Sequence, residues 1–228
     1  MVLAGEALIA IWNDITPEMR EDFFEWHPRE HMVERLGIPG FIRGRRYIAL
    51  DAQVEFLTLY EVANADVLVS DVYKTRLTNP TPWSTKTLPA FRNNVRGGCR
   101  IHYSQGYAMG GFIKTIRIKA QEGEKASLIK HIVNNMLPGL IDAPRITGVH
   151  FVENDTALTG GNSGNQRGRV IQLPDLILLI EGSAEEGVRN ACAEYLPEDA
   201  LIRAGATADV INGLYQLEYS IQNLVQPT

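Results

Sequence analysis

The feature that most limits what this chain can fold into is an order of elements that runs through once and then starts again. Glu6–Trp12 is rich in β-formers and reads as a strand. Thr16 is a good N-cap, Pro17 suits the first helical position and Glu18 complements the helix dipole, so a helix starts there and runs toward Leu36. Pro28 lacks the amide that would bond back to Phe24, which predicts a kink or break near His27. Gly37 is suited to end the helix in the left-handed conformation, with Pro39 soon after. Phe41–Leu50 and Val54–Val62 read as an antiparallel hairpin across Asp51-Ala52-Gln53. Asn64–Lys74 reads as a capped helix, Thr78–Pro89 with its three prolines as a loop, and Cys99–Tyr107 as a fourth strand.

The same β-α-β-β-α-β order then recurs, with strands at Phe112–Lys119, Arg145–Glu153, Leu176–Glu181 and Leu214–Gln222 and helices at Glu122–Leu137 and Ala184–Tyr195. A shift of 104 sets His27 on His131, Met32 on Met136, Leu36 on Leu140 and Gly44 on Gly148. A shift of 120 sets Leu57, Leu59 and Glu61 on Ile177, Leu179 and Glu181, and one of 116 sets Tyr103-Ser104 on Tyr219-Ser220. The shifts change only in loops, as a duplication requires. The expected fold class is therefore α+β, with two tandem ferredoxin-like repeats at 1–108 and 109–228 and a boundary near Ala108–Gly111. The second hairpin is lengthened by Thr156–Gln172, rich in Gly and Asn, which reads as a flexible surface loop or, alternatively, a lid over the site.

A net charge of −5 argues against a nucleic-acid partner, although Arg43, Arg45 and Arg46 cluster locally. No apolar run approaches the length of a membrane span, and Met1–Asp14 lacks the basic start and cleavage site of a signal peptide. Two distant cysteines, Cys99 and Cys192, fit reduced thiols in a cytoplasmic protein. His27, Glu30, His31 and Glu34 fall at positions 0, 3, 4 and 7, so an ordinary α-helix puts four ionisable groups on one face.

Trp26, His31 and the Pro39-Gly40-Phe41 turn together resemble the EthD-like branch of the dimeric α+β barrel superfamily, although Val33 stands where that branch often has proline. The resemblance implies that two sheets, usually from two chains, pack face to face within this one chain. It implies a small-molecule partner and no required cofactor, with haem as the alternative that the superfamily allows, and a monomer or a homodimer of pseudo-dimers. No metal is expected, because His27-Pro28-Arg29-Glu30-His31 is not the His-Glu-x-x-His order of helical zinc sites and Pro28 distorts the turn between the histidines. Such barrels serve as monooxygenases, isomerases, cyclases, decarboxylases and haem enzymes. The expectation for this chain is therefore a cofactor-independent enzyme of lyase, isomerase or monooxygenase type acting on a small apolar aromatic or carbonyl compound, the alternative being a protein that only binds a ligand or assembles.

Within that frame His31 is the leading candidate for proton transfer, with Glu30 and Glu34 near enough to orient it, and His27 beside it. The competing role is a helix-end histidine bonded to a carbonyl, or, for His27 and His131, packing at a pseudo-twofold. Arg43 and Arg45 share one face of the second strand and Arg46 takes the other. They are candidates to bind a substrate oxygen, or else are outer-face charges paired with carboxylates. Tyr47, Tyr60 and Tyr103 would suit an enolate or phenolate as donors, or pack in the core; Trp26 completes the candidate substrate wall. The shift of 104 sets Asn134 and Asn135 against Glu30 and His31, which predicts a working site in the first repeat alone.

Overall fold

Eight strands, β1 (Ala7–Ile15), β2 (Phe41–Ala52), β3 (Phe56–Val62), β4 (Phe91–Gly106), β5 (Phe112–Ile118), β6 (Ile146–Asn154), β7 (Leu176–Gly182) and β8 (Ile211–Gln222), close into one antiparallel barrel. The computed structural model describes residues 3–158 and 175–223. Around the barrel the order is β1-β3-β2-β8-β5-β7-β6-β4. Read by halves this is β4-β1-β3-β2 followed by β8-β5-β7-β6, the same ferredoxin-like sheet twice, sealed at β2–β8 and β4–β6. The duplicated fold expected from the element order is present. All seven residues of β3 and all seven of β7 are buried, because one face of each strand fills the lumen and the other lies under helices.

The first helical crossover consists of α1 (Arg20–Trp26), a π-helical turn over His27–His31 and α2 (Met32–Leu36). The break expected at Pro28 is thus absorbed as a π-turn, closed by the Met32 N–H donating to the His27 carbonyl. Gly37 does not take the left-handed role; its φ is −74°, and Gly40 at φ +90° turns the chain into β2. The helix expected over Asn64–Lys74 is a 3-10 turn over Ala65–Val69 followed by α3 (Asp71–Thr78), whose Tyr73 N–H is capped by Ser70. The proline-rich stretch holds a short helix, α4 (Pro82–Thr87), capped by Thr81. In the second half, α5 (Lys125–His131) leads into a π-turn over Ile132–Met136, and α6 (Glu185–Tyr195) and α7 (Glu198–Arg203) follow β7.

β4 starts eight residues before the expected Cys99, at Phe91. Its first part, Phe91-Arg-Asn-Asn-Val-Arg-Gly-Gly, carries little β-propensity and is held as strand by pairing with β1, across a register shift beside Asn93 at φ +48°.

The strand registers also fix which residues of the halves correspond. Glu61 faces Arg43 on β2, and Glu181 faces Gly148 on β6; Arg45 and His150 lie level with Leu59 and Leu179. The two π-turns, His27–His31 and Ile132–Met136, differ by the same 105 residues. The offset of 104 is therefore one residue short, and a one-residue slip exchanges the two faces of a strand. His27 corresponds to Ile132 rather than His131, His31 to Met136, and Glu30 to Asn135. Arg43, Arg45 and Arg46 correspond to Gly148, His150 and Phe151.

Candidate functional site

The outer face of the first half's sheet lies under α1, the π-turn and α2. An i→i+5 bond widens the helical turn by one residue, which stacks Trp26 on His31 five positions away, with ring centroids 4.4 Å apart. His27 and His31 stay together at 5.5 Å and face the sheet. The widened turn also separates the histidines from the acids expected on the same face. Glu30 turns toward α4, where its Oε1 accepts from the Trp26 indole N–H at 3.1 Å, the Thr81 hydroxyl at 2.5 Å and the Ser84 hydroxyl at 3.3 Å. Glu34 pairs with Arg76 at 3.1 Å. Neither carboxylate bonds to His31 itself.

The groups around the histidines are cations and hydroxyls. His27 is buried, with Nδ1 2.5 Å from the hydroxyl of Tyr219 on β8. Its pKa is held well below the ordinary 6.5 by burial, then by the charges of Arg46 and Arg35. That of His31 is likewise well below 6.5, through burial, Arg35 and His27. Arg46 directs Nε and Nη2 to Glu218 at 2.7 and 2.8 Å and lies over the rings of Tyr219 and Phe23, 4.7 and 4.9 Å from their centroids. Burial raises the Tyr60 phenol well above its usual range although Arg35 opposes it.

Five buried polar atoms of this face take no hydrogen bond among the described residues: His31 Nδ1, Arg35 Nη1, Arg46 Nη1, Thr58 Oγ1 and Tyr60 Oη. Thr58 and Tyr60 lie two apart on β3, Thr58 beside Arg46 and Tyr60 beside Gly44. Buried polar groups are normally satisfied. Four donors and one basic nitrogen left without partners on one face of the sheet mark it as the candidate site.

The second half has the same scaffold and none of this chemistry. His27, His31, Arg35, Arg46, Thr58 and Tyr60 correspond to Ile132, Met136, Leu140, Phe151, Leu178 and Ile180, all members of one apolar core. Tyr219 corresponds to Tyr103, whose hydroxyl donates to Gln105 at 2.5 Å near the surface.

The other expected substrate-binding residues lie on the opposite face of the sheet. Arg43 is bonded twice to Glu61, at 2.9 and 2.6 Å, and Arg45 lies between Glu61 at 2.9 Å and Glu181 at 2.7 Å, inside the barrel. Tyr47 is also in the lumen, fully buried. Paired with carboxylates and separated from the histidines by the sheet, Arg43 and Arg45 serve the barrel. Arg46, on the other face, lies with the histidines, whereas Arg35, Thr58 and Tyr219 are groups of the candidate site that residue-by-residue reading missed. The signal for six positions, His27, His31, Arg35, Arg46, Thr58 and Tyr60, was present as polar residues whose partners, 105 or 120 positions on, are apolar.

Two surface cavities, of about 300 and 470 Å³, lie at Asp51, Lys114 and Arg189 and at Arg145, Gly187 and Asn190, away from the histidines. The surroundings of His27 and His31 do not fit haem. One face of His31 is covered by Trp26, His27 Nδ1 is bonded to Tyr219, and Phe23, Trp26 and Phe91 pack edge to edge beside them. Among the described residues no three His, Cys, Asp or Glu side chains gather as metal ligands, and no helix is long and apolar enough to cross a membrane. Most of the Thr156–Gln172 segment lies outside the described residues; of its start, Leu158 is buried against Gly98 among the residues of the first half's helix-covered core.

No family model and no curated protein matches the chain. Solved structures do. An anthrone oxidase-like protein matches with a TM-score of 0.64 at 11% identity, covering 99% of this chain and 97% of the other. A protein assigned as a monooxygenase from Fusobacterium nucleatum matches at 0.60 and 8% identity, over 96% of both chains. One from Lactobacillus acidophilus matches at 0.58 and 9% identity, over 95% of this chain and 96% of that one. At such identities the likeness speaks for the backbone, and together with the strand order it establishes that this chain has the dimeric α+β barrel fold, both halves of the barrel being supplied by one chain.

Proposed function

We propose that the chain is an enzyme of small oxygen-bearing aromatic or carbonyl compounds, related to the EthD-like branch of this fold, in which His31 accepts a proton from substrate. The observation that carries this reading is the one-sided replacement of a packed apolar core by His27, His31, Arg35, Arg46, Thr58 and Tyr60. Half-buried, with Arg35 beside it, His31 is uncharged near neutral pH and ready to act as a base. Tyr60, Thr58 and the free nitrogens of Arg35 and Arg46 donate to the oxygen on which charge develops. His27, hydrogen-bonded to Tyr219, is next in line to relay the proton, and Glu30 is a positioning residue that holds Trp26 and through it the ring of His31. An enolate or phenolate formed this way leads to oxygenation, isomerisation or bond cleavage according to the substrate. The resemblance to an anthrone oxidase-like protein makes anthrones and related phenols and ketones the first compounds to assay.

The test is turnover of such a panel, followed by absorbance and by oxygen uptake. His31→Ala is expected to lower turnover by roughly 10²–10⁴-fold, whereas Met136→Ala in the second half leaves it within about twofold. Equal activity of His31→Ala and the parent discards His31 as the base. Ligand binding without turnover of any compound would favour a carrier instead.

A further inference from the structure

Among the described residues, the buried charged side chains of the lumen are Arg43, Arg45, Arg117, Glu61 and Glu181. Three guanidinium groups therefore face two carboxylates. Arg43 and Arg45 use both carboxylates; the Glu61 Oε2 that accepts from Arg43 also accepts the Ala4 N–H, and the second oxygen of Glu181 accepts the Gly110 N–H. Arg117, on β5 and 8% exposed, has no carboxylate partner and makes no hydrogen bond among the described residues; its Nε is buried. It lies over the indole of Trp12, 4.6 Å from the ring. Trp12 and Arg117 are counterparts in β1 and β5, 105 residues apart, so they meet across the pseudo-twofold. Trp12 Nε1 is also buried and makes no well-aligned hydrogen bond, the Tyr215 hydroxyl being the acceptor within its reach, and the Tyr47 hydroxyl, level with Trp12 through Leu57, is another buried group without a partner. The nearby Tyr215 hydroxyl donates to the Val54 carbonyl at 3.2 Å. The Asp14 carboxylate beside this end is occupied by the Glu55 N–H at 2.7 Å and the Asn93 amide at 2.6 Å.

A desolvated cation is costly unless paired, and one aromatic face offsets only part of that cost. A surplus of donors and of one positive charge is matched by a group that only accepts and carries one negative charge. We propose that this end of the lumen binds a small anion, a compact carboxylate or inorganic oxyanion, on Arg117 and Trp12 Nε1. The site is separate from the histidine cluster, which lies across the sheet, and does not depend on the function proposed above.

The test is thermal unfolding of the whole chain against acetate, phosphate and chloride titrations, with ionic strength held constant by a bulky organic sulfonate. The parent is expected to gain about 2–5 °C in Tm, saturably, with acetate or phosphate. Acetate acting alone would identify the carboxylate arm, and phosphate acting alone the inorganic one. Arg117→Met is expected to lose that gain while its Tm without anion equals or exceeds the parent's, because the uncompensated charge is gone. Arg117→Lys keeps the charge but not the fork and should need roughly ten times more anion; it also serves if the methionine variant fails to fold. An equal gain in parent and Arg117→Met, or no saturable gain with acetate or phosphate, overturns the site. A gain with chloride equal to that with acetate would likewise overturn the preference for an oxygen-bearing anion.

Discussion

His31 and His27 lie where an imidazole is easiest to keep uncharged, and the pH dependence of stability should show it. Both pKa values are lowered in the folded chain, so the unfolded chain binds more protons once the pH drops below about 6.5. Stability should therefore be full above that pH and fall as the pH moves down toward the folded values, by up to about 1.4 kcal/mol per pH unit for each histidine. Chemical denaturation of the parent between pH 7 and 5, beside a His27→Gln/His31→Gln double variant, measures it. The variant should be much flatter over this interval; parallel slopes would mean that the two rings do not carry the effect. Of the residues that make up the candidate site, His31, His27, Arg46, Tyr60 and Trp26 were singled out by residue type and position. Arg35, Thr58 and Tyr219 were not, because each is an ordinary helix or strand residue until the strand register puts it beside the histidines. Glu30 was legible as a residue near the site but not in its role, since only the widened turn aims it at Thr81 and Ser84.

Among the elements, the π-turn is the one whose cause is easiest to mistake. Pro28 predicts a disturbed helix, yet the second half makes the same turn over Ile132–Met136 with no proline, where the Leu137 N–H reaches the Ile132 carbonyl at 3.0 Å. The packing of the crossover helix on the sheet therefore specifies the turn, and Pro28 only suits it. Pro28→Ala should change stability by less than about 1 kcal/mol in a denaturant melt. Gly44 is a stricter requirement, because a Cβ there would come within 2.8 Å of Met32 Cγ and Sδ. Gly44→Ala is expected to cost roughly 1–3 kcal/mol by the same measurement, with the spread set by how far the flexible methionine can yield. The eight strands and both crossover helices were legible because burial on both faces writes long apolar runs such as Leu176–Ile180. The start of β4 and the short helices α4 and α7 were not, since pairing, caps and contacts hold them in place of any apolar period.

At the scale of the whole molecule, the two halves meet in the lumen through Arg45, which bridges Glu61 of one half and Glu181 of the other. Burial alone would raise the Glu181 pKa, but Arg45 and His150 more than offset it and hold the carboxyl well below its usual range. Its contribution is thus fully present above about pH 4.5 and is lost progressively as the pH falls from there to that depressed value. Glu181→Gln should lower stability by about 3–5 kcal/mol at pH 7, with the difference from the parent shrinking below pH 4; a constant difference would place the effect in packing. The duplicated architecture was legible in the element order, whereas the correspondence of individual residues was not, since four chance identities favoured an offset one residue short. Only residues 107–111 join β4 to β5. A tether that short keeps each half at an effective concentration on the order of millimolar toward the other, so the barrel holds together at dilutions where two separate chains would part. With its partner permanently attached, one copy is free to become an apolar wall while the other carries the buried polar groups.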